Sequence, residues 1–98
     1  MAIVEVSVLP LGSKSPSVSH FVAGVLRVLK NAPGVKYKLT PMGTIIEGDL
    51  DVIIDLVKQM HRAAFSPEIK RVVTSIKIDD RSDKPLTMDG KLRALSYK

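Results

Sequence analysis

Between Ala2 and Pro10 the chain alternates, with Val4, Val6 and Val8 set against Glu5 and Ser7. A period of two marks an extended strand, whose side chains point by turns to opposite faces. One face is therefore uniformly apolar, and the other carries a carboxylate and a hydroxyl between Ile3 and Leu9. The valine face demands a covering layer. The other needs a neighbour, or a solvent boundary, that suits charge and aliphatic groups together. These two demands constrain the fold more than any other stretch.

The rest of the chain supplies the covering layer. Leu11–Ser17 contains Gly12 and Pro16 and reads as a loop, with Ser15 or Ser17 able to cap a helix and Pro16 suited to its first position. That helix runs to about Lys30 on the stripe Val18, Phe21, Val22, Val25 and Leu29, and Asn31–Gly34 stops it. A strand over Val35–Thr40 alternates Val35, Tyr37 and Leu39 with Lys36, Lys38 and Thr40. Pro41-Met42-Gly43 then turns the chain into an antiparallel strand over Thr44–Gly48. Asp49 caps a second helix, about Leu50–Phe65, whose stripe is Leu50, Ile53, Ile54, Val57, Met60 and Ala64. A fourth strand covers about Lys70–Asp79, and a short helix capped by Thr87 covers Met88–Ser96. The order is β-α-β-β-α-β. Two right-handed crossovers around a central hairpin predict an α+β, ferredoxin-like sandwich. Its four-stranded antiparallel sheet should run in the order 4-1-3-2, with two helices on one face and the other face open. No linker interrupts residues 1–98, which are expected to form a single domain.

Composition narrows the function classes. A chain of 98 residues buries only about two-thirds of its unfolded surface, so self-association would help it. The absence of cysteine removes disulfides, thiolate metal sites and thiol nucleophiles, and fits a cytoplasmic setting. The start MAIVEV has none of the parts of a signal peptide, and no apolar run reaches the ~20 residues that span a bilayer. The formal charge of +5 comes from scattered Lys and Arg residues. Asp79, Asp80 and Asp83 are interleaved with Lys77, Arg81 and Lys84, so a solvated basic surface is the reading rather than a nucleic-acid footprint.

With the valines under the helices, Ile3, Glu5, Ser7 and Leu9 fall on the open face. Val73, Ser75 and Lys77 join them from strand four. Ile45 and Glu47 come from strand three, because burying Glu47 under helices would be expensive, and Lys38 and Thr40 come from strand two. The mixture fits a face covered by another subunit that keeps a polar pocket. It equally fits a Glu–Lys network that only satisfies an interface, and the pattern does not choose. Glu5 and Glu47 also suggest a catalytic carboxylate pair, but no Ser-His-Asp, HExxH, Walker or GxGxxG signature completes a mechanism, and no enzyme activity is expected. His20 and His61 read as surface or packing residues, without a second ligand at metal spacing. Ser15 and Ser17 near a helix start form a candidate anion site. The central strands lack the aromatics of an RNA-recognition module. An acylphosphatase-like loop would carry an Arg where this one has Lys14. An amino-acid-sensing regulatory module has the same topology and stays open as an alternative.

The stretches EVSVLPLG, SPSVS, KYKLTPMGTIIEGDLD and KRVVTSIKIDDRSDKPLTMDGK resemble the small thiamine-binding proteins of the YkoF-like type, over nearly the whole chain. The resemblance implies a ferredoxin-like fold, dimers that pair into homotetramers through their sheets, and non-enzymatic binding of thiamine or its hydroxymethylpyrimidine part, with no metal or cofactor. Carried over by position, it implies a ligand site at Glu5, Ser7, Thr40, Met42, Gly43, Thr44, Glu47, Ser75 and Lys77, on the sheet face at a subunit interface. An aminopyrimidine offers an amine and ring nitrogens to carboxylates and hydroxyls, and the thiazolium cation favours a nearby Glu.

Overall fold

The computed structural model describes residues 1–12 and 19–96. Its elements are β1 (Ala2–Leu11), α1 (Ser19–Lys30), β2 (Lys36–Thr40), β3 (Gly43–Gly48), α2 (Leu50–Ala63), β4 (Arg71–Asp80) and α3 (Met88–Ser96). The strands form one antiparallel sheet in the order β2-β3-β1-β4. This is the ferredoxin-like arrangement expected from the order of elements. The proposed cap of α1 at Ser15 or Ser17, and Val18 of its stripe, lie outside the described residues.

The valine face of β1 organises the core. Ala2, Val4 and Val6 are fully buried there with Ile46 of β3, Val25 and Leu29 of α1, and Ile53, Val57 and Met60 of α2. Each large aliphatic side chain in such a layer contributes about 1.5–3 kcal/mol through removal from water. The helix-side layer is therefore where most of the fold's stability resides. Asp49 begins α2 as expected: its carboxylate accepts the N–H groups of Asp51 and Val52 at 3.1 and 3.3 Å, satisfying two donors that have no partner within the helix. The helix closes at Ala63 with Ala64 as its C-cap, slightly before the expected end at Phe65.

Strand four faces as its alternation predicts, but it is covered less. Ile76 and Ile78 are register partners of Val6 and Val4 and so share the helix-side face. They nevertheless remain 46% and 47% exposed. β4 is an edge strand, and the helices sit mainly over β1 and β3. α2 reaches it at Thr74, whose Oγ1 is 2.6 Å from His61 Nδ1; the same imidazole makes an edge-on contact with Phe65.

The expectation of a wholly open second face needs correction. α3 returns onto that face at one end of the sheet. Glu47 and Asp79 flank Ile3 in register, and each bonds to α3: the Met88 N–H donates to Glu47 Oε1 at 2.8 Å, and Lys91 Nζ pairs with Asp79. Ile3 is only 9% exposed as a result. The rest of the face is bare.

Candidate functional site

The register places the predicted residues on their faces without ambiguity. Glu5 lies opposite Ile45 and Lys77, and Ser7 opposite Ser75. Lys38 lies opposite Ile45, and Thr40 opposite Gly43. All belong to the face away from α1 and α2, where Glu5, Ser7, Ser75 and Lys77 are exposed. Neither Glu5 nor Lys77 takes part in the Arg81–Asp83 or Lys91–Asp79 ion pair, and the two face each other across the strands without a salt bridge between them.

Glu47 is on the same face but in a different situation. It is 6% exposed, and its carboxylate receives the first N–H of α3. A carboxylate at a helix N-terminus gains both a charge-assisted hydrogen bond and the favourable end of the helix dipole. Thr87 assists, its Oγ1 accepting the Gly90 N–H at 2.9 Å. Glu5 and Glu47 also sit diagonally rather than opposite, because Glu47 pairs with Ile3. They do not form a two-carboxylate site.

Five of the nine predicted residues converge elsewhere. Ser7, Thr40, Met42, Gly43 and Thr44 line a cleft of about 360 Å³ between the outgoing half of β1, the β2–β3 turn, the middle of α1 and the C-terminal part of α2. The turn is locally fixed. Thr40 Oγ1 donates to the Gly43 carbonyl at 2.8 Å and accepts the Met42 N–H at 3.2 Å, which leaves Met42 at the tip, 81% exposed. Gly43 has φ +154, and a Cβ there would stand 2.7 Å from the Val6 carbonyl oxygen. Only glycine allows the turn to press this closely against β1. The walls are apolar: Val6, Val8, Val25, Leu26, Leu39 and Met60. A few polar groups at the mouth of an apolar cleft of this size suit a small heterocycle.

Those walls were missed in the sequence because Val25 and Met60 read as core and Leu26 lies off the helical stripe. Glu5, Ser75 and Lys77 lie outside the cleft's lining. The candidate anion site at Ser15 and Ser17 lies outside the described residues. Among the described residues no cluster of three His, Cys, Asp or Glu side chains could hold a metal ion, and no helix is long and apolar enough to cross a membrane.

The family model for thiamine-binding protein matches residues 4–96. The chain belongs to this family. A UPF0045 protein of Bacillus subtilis is 42% identical over 99 residues, covering 98% of this chain and 95% of its own length. The crystal structure of a Methanocaldococcus jannaschii member superposes with a TM-score of 0.85 at 40% identity, covering 99% of this chain and 97% of that one. A Bacillus cereus domain of unknown function follows at a TM-score of 0.80 and 34% identity, covering 93% of this chain and 86% of its own. These relatives share both the fold and nearly the full length, as the four sequence blocks imply.

Proposed function

We propose that this protein binds thiamine or its hydroxymethylpyrimidine part without transforming it, in the cytoplasm, as a homo-oligomer built as a dimer of dimers. One observation carries the reading: Ser7, Thr40, Met42, Gly43 and Thr44 come together around one apolar cleft in a chain of the thiamine-binding family. The aliphatic walls take the pyrimidine ring. The polar groups of the β2–β3 turn address its nitrogens and exocyclic amine. Thr40 acts by holding the turn, since its hydroxyl is already engaged there. Glu5, two residues along the same strand face from Ser7, is the free carboxylate for the thiazolium cation, with Ser75 and Lys77 beside it at the subunit seam.

Calorimetric titration with thiamine and with hydroxymethylpyrimidine tests the reading. Saturable heat with both, stronger for the compound that retains the cation, is expected. No heat and no thermal shift at millimolar ligand would overturn it. A second reading, an assembly or regulatory module with structural open-face charges, draws support from Glu47, whose carboxylate serves α3. It predicts that Glu47→Gln weakens the assembly and leaves every ligand response unchanged.

A further inference from the structure

A separate cleft, of about 460 Å³, opens between β2 and α3 on the face away from α1 and α2. Lys36 and Lys38 border it from the edge strand, Glu47 lies at its floor, and Met88, Asp89 and Leu92 line it from the helix. It shares no lining residue with the cleft at the β2–β3 turn. Its two walls differ in sign. Lys36 is the cross-strand partner of Glu47, so both project from one face, and Lys38 joins them two residues along the strand. Asp89 follows Met88, whose N–H is fixed 2.8 Å from Glu47 Oε1, and this places it at the opposite wall. The Arg81–Asp83 and Lys91–Asp79 ion pairs engage none of Lys36, Lys38 and Asp89, and all three are exposed. Leu92 beside them is 57% exposed.

We propose that this cleft binds a free α-amino acid with an aliphatic side chain, at a site independent of the thiamine reading. The two lysines take the α-carboxylate, and Asp89 takes the α-ammonium group. Met88 and Leu92 receive the side chain, which removes exposed apolar surface from water. Glu47 contributes by holding α3 in place, since its carboxylate is engaged with the Met88 N–H. Ligands of a single charge fit less well. An anion such as phosphate satisfies the lysines but stands against Asp89 and the buried Glu47. A simple amine pairs with Asp89 but faces two ammonium groups. A neutral apolar molecule strips water from charges on both walls and replaces none of it. A compound that carries both signs on one carbon, with an apolar tail, answers every group lining the cleft. Bound there, it ties α3 to the edge strand and slows the helix's opening.

Titration of the full chain with L-leucine, followed by amide NMR and calorimetry, tests the site. Saturating shifts are expected at Lys36, Lys38, Met88, Asp89 and Leu92, with Thr40 and residues 42–44 unmoved and amide exchange slowed in α3. Isocaproate, which lacks leucine's ammonium group, and isopentylamine, which lacks its carboxylate, should each bind at least ~tenfold more weakly. Lys36→Gln and Asp89→Asn should each weaken leucine binding about tenfold and leave the thiamine titration unchanged. Lys36 lies on β2, so its variant keeps the test independent of how well α3 folds. No shifts at millimolar L-leucine would overturn the proposal. So would isocaproate binding as tightly as leucine, which would make the cleft a simple anion site, or unchanged leucine affinity in both variants. Leucine shifts in this cleft from a chain that ignores thiamine would uphold this site and overturn the thiamine reading alone.

Discussion

Glu5 and Glu47 stand on one face of one sheet, on adjacent central strands, and the sequence offers no reason to treat them differently. The structure separates them completely. Glu47 is buried and holds the first N–H of α3, so its charge is consumed in folding the chain's own C-terminal segment onto the sheet. Glu5 is exposed, with Lys77 opposite but unpaired. A carboxylate that completes a helix is a structural residue. A carboxylate left bare on the open face is available to a ligand. The difference arises from where the 41-residue-distant α3 lands, not from anything local to either strand.

The contrast can be broken from either end. The largest effect is expected from Gly43→Ala at the cleft. The added Cβ would strain a left-handed backbone and press on the Val6 carbonyl, destabilising by about 3 kcal/mol and lowering Tm by more than ~10 °C, as thermal unfolding would record. Glu47→Ala comes next, at about 2 kcal/mol, because it strips a charged acceptor from a part-buried N–H. Hydrogen exchange should show the loss as faster exchange in α3, with β1 and β3 unaffected. Glu47→Gln, which keeps an acceptor oxygen, should lose about half as much. Glu5→Gln should leave stability within ~0.5 kcal/mol of wild type while weakening thiamine binding about tenfold in calorimetry. Equal stability losses at Glu5 and Glu47 would erase the distinction between them.

The smallest effect belongs to the exposed Arg81–Asp83 pair, 2.6 Å apart. The Arg81 hydrogen bond holds the Asp83 carboxyl below its ordinary range, and Asp83 raises Arg81. A lowered carboxyl contributes stability above its unfolded value and loses it as pH falls through the folded one. The exposure of both side chains to solvent screens that contribution. The Tm–pH curves of wild type and Asp83→Asn should therefore overlay down to acidic pH.

Much of the fold was legible because its signals are local. The β1 alternation, the Asp49 cap, the Pro41–Gly43 turn and Thr87 before α3 each act within a few residues, and together they fix the element order. The faces of Ser75 and Lys77 followed from period-two alternation, and those of Ile45 and Glu47 from the cost of burying a carboxylate under the helices. Coverage did not follow. Ile76 and Ile78 alternate with Val73, Ser75 and Lys77 and so fall on the helix face, yet they remain exposed because helix width, not strand pattern, decides how far a layer reaches. Ile3 was placed on the open face and is buried, because α3 folds back over it. The cleft was half legible: the turn residues stand out as a motif, but Val25 and Met60 among its apolar walls read as ordinary core positions.

The decisive measurement is an amide NMR titration of the 98-residue chain with thiamine. The account predicts shifts concentrated at Glu5, Ser7, Thr40 and residues 42–44, saturating together, with Glu47, Met88 and Asp89 unmoved. Shifts centred on Glu47 and the start of α3, or none at millimolar thiamine, would contradict it.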